Sequence, residues 1–270
     1  MDYKIDNGDI LLRQKDLDLD DTLDCGQAFR WNKISDNIYS GFFLNKPLTV
    51  SCENGQDIFR FHNTTEKDFV DIWIDYFDLL TDYGKIKEKF SEDDTLRKAC
   101  KFAGGIRILK QDKWEALSSF IISQNNNIPR IKGIIERLCE HYNKYPDYKD
   151  MLDETEESLG FLRAGFRAKY LIDAITKISS GEINLDEISN MDIEQARKEL
   201  QKIKGVGPKV AECTLLFGFH RTEAFPIDVW VKRVMKKWYP NGLPDCVKGY
   251  EGIAQQYLFH YIRNGINEEF

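Results

Sequence analysis

The residues whose types and spacing are best suited to chemistry lie between positions 200 and 228. One helix ends at Gly205-Val206-Gly207, and a second helix begins at once with Pro208 in its first turn. The glycine pair allows a tight turn and leaves backbone N–H groups uncovered at a helix N-terminus, an arrangement that binds phosphate without cationic side chains. A plain corner between two helices would show the same pattern. We therefore treat contact between DNA and the hairpin residues Gly205, Val206 and Gly207 as a hypothesis.

Lys209 follows this turn directly, and Cys213 lies one helical turn later on the same face. Apolar surroundings and a positive helix end favour the neutral amine of a lysine, which is its nucleophilic form. Further along, Phe225-Pro226-Ile227-Asp228-Val229 places a carboxylate at another helix start. Taken alone, Asp228 is more typical of a helix N-cap than of a catalytic group.

The elements that must position these residues change type along the chain. Residues 31–62 alternate aromatic and β-branched runs with Asn, Pro and Gly, which predicts antiparallel hairpins. Beyond about residue 96 the apolar spacing is helical, with Asp112, Asn127 and Asp192 expected as N-caps and Gly181 as a helix end. We therefore predict an α+β fold: an N-terminal antiparallel β-sheet domain with helices over residues 1–96, then an all-α domain over residues 97–270.

Composition and charge exclude several classes of protein. The 270 residues are 42% hydrophobic and 31% charged, and no apolar run approaches the length of a membrane span or a signal peptide, so we expect neither a secreted, a membrane nor a disordered protein. The net charge of -7 argues against a protein that coats nucleic acid. Residues 97–137 nevertheless carry nine basic and three acidic residues, so a local basic face is available. The six scattered cysteines form no C-x-x-C, which predicts reduced thiols and no iron–sulfur cluster.

The hairpin, the lysine and the aspartate together resemble the helix–hairpin–helix (HhH-GPD) DNA glycosylase superfamily, in which the lysine marks the bifunctional members. Four more segments, spread over nearly the whole chain, narrow the resemblance to the 8-oxoguanine DNA glycosylase/lyase family. They are Cys25-Gly26-Gln27-Ala28-Phe29-Arg30-Trp31, Ser119-Phe120-Ile121-Ile122-Ser123-Gln124-Asn125-Asn126-Asn127-Ile128, Gly165-Phe166-Arg167-Ala168-Lys169-Tyr170 and Ala254-Gln255-Gln256-Tyr257-Leu258-Phe259.

The resemblance implies a role for each matched position. Lys209 would attack C1′ of the damaged nucleotide, and Asp228 would stabilise the positive charge that develops on the sugar. The lesion base would contact Gly26, Cys213, Gln255 and Phe259, of which Cys213 and Phe259 are otherwise ordinary core residues. The opened helix and the orphaned cytosine would contact Asn125, Arg130, Phe166 and Arg167. The alternatives are that Asn125 belongs only to a polar turn between helices and that the two arginines are solvated residues of a helix face.

The resemblance also implies a substrate, partners and a compartment. The expected substrate is duplex DNA that contains 8-oxoguanine opposite cytosine, acted on by a monomer in a prokaryotic cytoplasm, with no membrane partner. No cofactor is expected, although backbone carbonyls of the hairpin could hold a structural cation, as in relatives. Two alternatives stay open: an HhH glycosylase for another lesion, such as alkylated bases or an oxidised pyrimidine, and a noncatalytic HhH DNA-binding protein.

Overall fold

The computed structural model describes residues 1–53 and 57–265, and this part of the chain divides into two compact units. Within these residues, the first unit comprises 1–53, 57–110 and 227–265, and the second comprises Gln111–Pro226. The strands of the first unit are β1 Asp2–Asp6, β2 Asp9–Arg13, β3 Trp31–Ser35, β4 Ile38–Phe43, β5 Lys46–Cys52 and β6 Ile58–His62.

The α-helices of the described residues range from 3 to 15 residues in length. The α-helices are α1 Leu19–Leu23, α2 Glu66–Asp68, α3 Ile74–Tyr76, α4 Tyr83–Phe90, α5 Asp94–Phe102, α6 Lys113–Ser123, α7 Ile128–Tyr142, α8 Ala168–Ser179, α9 Leu185–Ile188, α10 Ile193–Leu200, α11 Pro208–Gly218, α12 Val229–Trp238 and α13 Glu251–His260. Single 3₁₀ turns occupy Tyr148–Met151, Ser158–Leu162, Gly165–Arg167 and Asp245–Val247, and π-helical turns occupy Phe69–Trp73 and Tyr261–Gly265.

The six strands form one antiparallel sheet in the order β1-β2-β6-β5-β4-β3. Side chains of β2, β4, β5 and β6 alternate between a buried and a more exposed face, as in β6, where Phe59 and Phe61 are buried. β4 and β5 are joined through Leu44 and Asn45, whose φ angles of 46° and 59° suit a two-residue hairpin turn. This confirms the predicted antiparallel sheet.

An aromatic core covers the buried face of the sheet. Trp31 of β3 is completely buried and donates its indole N–H to the Tyr76 hydroxyl at 2.6 Å. Trp73 and Phe77 pack their rings against Trp31 at centroid distances of 6.4 and 5.7 Å. The segment from Glu66 to Phe77 therefore lies against the sheet, because its aromatic residues recur at helical spacing.

The C-terminal segment belongs to the first unit because it bonds to that unit's early helices and loops. Tyr239, after α12, donates to the Asp93 carboxylate at 2.7 Å, and Tyr257 of α13 donates to the carbonyl of Ile106 at 3.2 Å. These bonds join positions about 150 residues apart, which no local pattern reveals. The boundary predicted near residue 96 stays a prediction, whereas the compact units divide the chain at 110 and 226.

The second unit is helical throughout its regular structure, from α6 to α11. Helices α6 and α11 pack against each other, with the rings of Phe120 and Phe217 stacked at 5.3 Å. Asp112, Asn127 and Asp192 accept backbone N–H bonds at the starts of α6, α7 and α10. The predicted caps are thus confirmed.

Candidate active site

The Gly205-Val206-Gly207 hairpin is held by its own backbone and by a tyrosine ring. The Val206 N–H bonds to the carbonyl of Ile203 at 3.0 Å, and Gly205 has a φ of 82°. A Cβ at Gly205 would lie 2.4 Å from the Tyr170 ring, so only glycine fits there. Gly207 caps α11 without a side chain and is exposed. The first-turn N–H groups of α11 are therefore uncovered by any capping side chain, as a phosphate site requires.

Lys209 lies directly behind this hairpin in the first turn of α11 and is half-buried. Its Nζ is 5.3 Å from the centroid of the Phe120 ring, which is itself buried and stacked on Phe217. Cys213, one turn along, is buried. The apolar surroundings that the sequence indicates for Lys209 are therefore present within its own unit.

A buried glutamate in the same helix was not anticipated from the sequence. Glu212 accepts hydrogen bonds from the Arg197 guanidinium of α10 and from the backbone N–H of Phe225, the latter at 2.7 Å. One carboxylate therefore ties α10, α11 and the segment before Asp228 together. The available signal was a lone charged residue in the apolar run 210–217, because a buried charge requires partners.

Asp228 is the N-cap of α12. Its Oδ1 accepts from the backbone N–H groups of Trp230 at 2.9 Å and Val231 at 2.8 Å. The capping role inferred from the sequence is confirmed. Asp228 belongs to the first compact unit and Lys209 to the second, so the proposed pairing of the two in catalysis stays a prediction.

The Gly26 turn, also in the first unit, is fixed by the neighbouring glutamine. Gly26 has a φ of 88°, which favours glycine. The buried Gln27 amide donates to the carbonyls of Thr22 and Arg107, each at 2.8 Å, and accepts the Leu109 N–H at 2.9 Å. The sequence assigned Gln27 no role, because two of its three partners, Arg107 and Leu109, lie about 80 residues away.

Gln255 and Phe259 are one turn apart on α13, which places them on one face of the helix. Gln255 is buried, whereas Phe259 is half-buried with the Arg263 guanidinium 5.8 Å from its ring centroid. A cavity of about 280 Å³ in this unit is lined in part by Cys25 and His260, the chain neighbours of Gly26 and Phe259. Burial raises the pKa of the Cys25 thiol to about 12. Cys25 therefore lines the cavity as an unreactive, protonated thiol.

The residues expected at the opposite base cluster in the second unit. Asn125 is exposed with a φ of 48°, and Arg130 is exposed in the first turn of α7. Phe166 is 44% exposed, and its ring lies 4.5 Å from the guanidinium carbon of Arg167. Exposed asparagine, arginine and aromatic side chains of this kind can enter a DNA helix and stack on or bond to bases.

Arg167 differs from Arg130 because it is only 2% exposed. Its guanidinium donates to the carbonyls of Ala164 at 3.0 Å, Asn125 at 2.9 Å and Gln124 at 2.8 Å. Burial, with the nearby charge of Arg130, lowers the pKa of Arg167 below its usual value. In this structure Arg167 therefore holds the turn that carries Asn125, and its reading of cytosine stays a prediction.

Residues 1–53 and 57–265 contain neither a side-chain metal site nor a membrane-spanning helix. Within these ranges, no three His, Cys, Asp or Glu side chains lie close enough together to bind a metal ion. No helix in the same ranges has both the length and the apolarity that crossing a membrane requires. The predicted backbone cation site and the predicted lack of a cofactor stay predictions.

Comparison with known proteins agrees with this geometry over almost the whole chain. Residues 9–117 match the 8-oxoguanine DNA glycosylase N-terminal domain, and residues 118–245 match the HhH-GPD superfamily of base excision DNA repair proteins. A structure of MBOgg1 with a low-affinity DNA ligand is 40% identical, with a TM-score of 0.90, and the alignment covers 97% of this chain and 99% of that one. The chain belongs to the 8-oxoguanine DNA glycosylase family.

Two further relatives of this chain are named as glycosylase/lyases. The Clostridium acetobutylicum 8-oxoguanine glycosylase/lyase, solved with double-stranded DNA containing cytosine opposite 8-oxoG, is 37% identical, with a TM-score of 0.89 and coverage of 98% of this chain and 100% of that one. The Saccharomyces cerevisiae N-glycosylase/DNA lyase is 37% identical over 158 residues, which is 50% of this chain and only 42% of the yeast protein.

These matches confirm, at the level of the family, the predictions of a DNA repair enzyme and of the bifunctional glycosylase/lyase class. They also confirm the fold class, an antiparallel sheet with helices followed by a helical HhH-GPD domain.

Proposed function

We propose that this protein removes 8-oxoguanine paired with cytosine from duplex DNA and then nicks the strand. The observation that carries the proposal is Lys209, half-buried over the Phe120 ring at the N-terminus of α11, directly behind a hairpin with uncovered amides. The membership of this chain in a glycosylase/lyase family supports the same reaction. A binding module would need the hairpin but not the lysine, which argues against the noncatalytic alternative.

In this mechanism Lys209 is the nucleophile. Its neutral amine attacks C1′ as the bond from C1′ to the base N9 breaks, and the bonding electrons leave with the base, which is then protonated. The amine then loses one proton, and the sugar oxygen O4′ takes up a proton as the C1′–O4′ bond breaks, which gives a protonated Schiff base. A proton then leaves C2′, the 3′ phosphate departs, and the strand is nicked. The Asp228 carboxylate stabilises positive charge on the sugar while it caps α12.

Lesion recognition rests on one proton. 8-Oxoguanine carries a hydrogen on N7, whereas guanine presents a lone pair there. The Gly26 carbonyl accepts this N–H in our proposal, and the rigid anchoring of its turn by Gln27 supports the role. Gln255 would read the Watson–Crick edge, and Cys213 and Phe259 would enclose the ring. A buried polar group left unmatched by guanine would reject the normal base.

The opposite strand is read by residues of the second unit in the same proposal. Asn125 fills the space that the flipped base leaves, Phe166 stacks beside it, and the donor forks of Arg130 and Arg167 suit the O2 and N3 acceptors of cytosine. The exposure of Asn125, Arg130 and Phe166 supports these roles. Arg167 would reach cytosine only by exchanging some of its backbone carbonyl bonds.

The proposal includes partners and setting. The partner is double-stranded DNA that contains 8-oxoguanine, bound through the Gly205-Val206-Gly207 hairpin and the uncovered backbone N–H groups at the start of α11. One chain suffices for one lesion, so we propose a monomer with no membrane partner and no catalytic cofactor. We also propose a prokaryotic cytoplasm as the compartment.

The decisive experiment is borohydride trapping on a duplex with one 8-oxoguanine opposite cytosine, beside an undamaged duplex. We expect a covalent complex on the lesion duplex alone, and nicking when borohydride is left out. Lys209→Gln should abolish trapping while DNA binding survives, and Lys198→Gln, on an exposed residue of α10, should trap normally. A Lys209→Gln protein that still traps would refute the assignment of the nucleophile. Trapping on a duplex that carries an alkylated base or an oxidised pyrimidine instead would favour the glycosylase for another lesion.

A further inference from the structure

We propose that Gln256 orients the side-chain amide of Gln255 and so makes the site selective for the edge of a guanine-type base over that of an adenine-type base. Gln256 is not among the residues matched to the family's lesion pocket. The inference rests on the proposed function, because it concerns how Gln255 reads the lesion.

The two glutamines form an isolated buried amide pair on α13. They are 3% and 6% exposed, and the Nε2 of Gln256 donates to the Oε1 of Gln255 at 2.7 Å. The Oε1 of Gln256 is buried without a hydrogen-bond partner among the residues that the structure describes. Within the same residues, the Nε2 of Gln255 donates to no other group. The only polar contact of the Gln255 amide in the described chain is therefore with Gln256.

The direction of this hydrogen bond is favoured by what each alternative leaves unpaired. If both amides were reversed, the Gln255 Nε2 would donate to the Gln256 Oε1. The Gln256 NH₂ group would then be buried without an acceptor. In the observed arrangement it is instead the Gln256 carbonyl oxygen that is buried without a donor. Buried N–H groups without partners are rarer in proteins than under-satisfied carbonyls, which indicates the larger cost. Gln256 therefore holds the oxygen of the Gln255 amide on one side.

A Gln255 amide held in this way matches one kind of purine edge. Its Oε1 keeps a second lone pair and its Nε2 keeps its hydrogens, so it offers one acceptor and one donor. A guanine-type edge presents the N1–H donor beside the O6 acceptor, which complements this order. An adenine-type edge presents the reverse order, an N1 acceptor beside an amino donor, and would require the amide to turn. The pair thus discriminates 8-oxoguanine from 8-oxoadenine.

The test uses variants of Gln256 with altered hydrogen-bonding capacity. Gln256→Glu places a carboxylate, which cannot donate, against Gln255, so the Gln255 amide turns its Nε2 toward it. Gln256→Leu removes the contact at similar size. Single-turnover excision is measured on 8-oxoguanine and 8-oxoadenine opposite cytosine, and strand cleavage is measured on a preformed abasic site, which has no base for Gln255 to read. Gln14→Glu, on a half-exposed residue beyond β2, is the matched control.

We expect Gln256→Glu to slow 8-oxoguanine excision about tenfold or more, the scale of one unmatched buried polar group. Its preference for 8-oxoguanine over 8-oxoadenine should fall with it, while abasic-site cleavage stays within about twofold of the original protein, since no base is read. Lowering the pH should restore the ratio of 8-oxoguanine excision to abasic cleavage in Gln256→Glu, because a protonated carboxyl donates again. Gln256→Leu should lose excision without this recovery.

Two outcomes would overturn the inference. Unchanged base preference in both variants would show that Gln256 does not orient Gln255. A parallel loss of excision and abasic-site cleavage would show a purely structural role. Failure of the proposed function is a separate result, because then the unsubstituted protein itself would not excise 8-oxoguanine.

Discussion

Asp228 caps α12, and the catalytic role that we propose for it can be separated from the cap by a single substitution. Asparagine caps helices as well as aspartate but carries no charge. We expect Asp228→Asn to keep the free energy of unfolding within about 0.5 kcal/mol, because its side-chain oxygen still accepts from Trp230 and Val231. Base excision should fall by about tenfold or more, because the charge opposite the developing cation is lost.

The comparison variant for Asp228 is Asp228→Ala, which removes both the cap and the charge. It should lose about 1 kcal/mol of stability as well as activity. Urea unfolding and single-turnover excision measure the two effects. Full activity in Asp228→Asn would show that Asp228 is a cap and nothing more.

Asp21, which lines the cavity beside Gly26, gives the protein a pH-dependent stability. Burial, with the charge of Asp18 nearby, raises its pKa from 3.8 to about 6. Because the folded-state pKa is higher than the unfolded one, the stabilising contribution is complete below pH 3.8 and is lost as the pH rises through 6. The carboxylate side chain is 20% exposed, so this environment is mostly shielded from water.

Asp21→Asn should therefore stabilise the protein at neutral pH but not in acid. Its amide stands in for the protonated carboxyl, so the gain should be near zero at pH 4 and reach at most about 3 kcal/mol at pH 7.5. Urea unfolding at both pH values measures it. Asp36→Asn, on a fully exposed carboxylate, should change stability little at either pH. An equal gain from Asp21→Asn at both pH values would contradict the prediction.

At the scale of elements, the hairpin depends on a glycine that a side chain cannot replace. Gly205→Ala forces a left-handed φ on alanine and places a Cβ 2.4 Å from the Tyr170 ring. We expect a loss of about 2 kcal/mol or more, because conformational strain and overpacking add. Weaker binding to duplex DNA should accompany it, since the amides at the start of α11 shift.

Gly207→Ala is the matched substitution two positions later. Its φ is -88°, and a Cβ there would meet no atom within 4 Å. Its stability loss should stay below about 1 kcal/mol, the usual difference between glycine and alanine at an N-cap. Thermal unfolding of the two variants side by side provides the measurement, and equal losses would show that Tyr170 does not enforce the turn.

At the scale of the whole molecule, charge sets how binding responds to salt. The chain has a net charge of -7, and the proposed phosphate contacts at the hairpin are backbone amides, which displace no condensed cations by charge neutralisation. We therefore expect a shallow salt dependence, with a slope of log K against log salt of about -2 to -4. Fluorescence anisotropy on a lesion duplex at salt concentrations between about 50 and 200 mM measures this slope. A slope steeper than about -6 would indicate binding mainly by lysine and arginine.

The sequence by itself determined the features that depend on neighbours within a few residues. Alternation predicted the antiparallel sheet, and the caps at Asp112, Asn127 and Asp228 were correctly placed, because an N-cap bonds to backbone only two or three positions ahead. The glycine hairpin followed by Lys209 was also predictable from the sequence, since its geometry depends on neighbouring residues. Family segments then supplied the chemistry.

Only the tertiary structure decided how the site residues are held. Two partners of Gln27 lie about 80 residues away, two partners of Arg167 lie about 40 away, and the C-terminal segment bonds to the N-terminal part of its unit across about 150. Glu212 likewise accepts hydrogen bonds from Arg197 and Phe225, which the fold and not the local sequence brings close to it. The amide pair of Gln255 and Gln256 is adjacent in sequence, yet its burial depends on the packing around α13. A buried polar group must find whichever partner the fold brings near, and no periodicity in the chain encodes that partner.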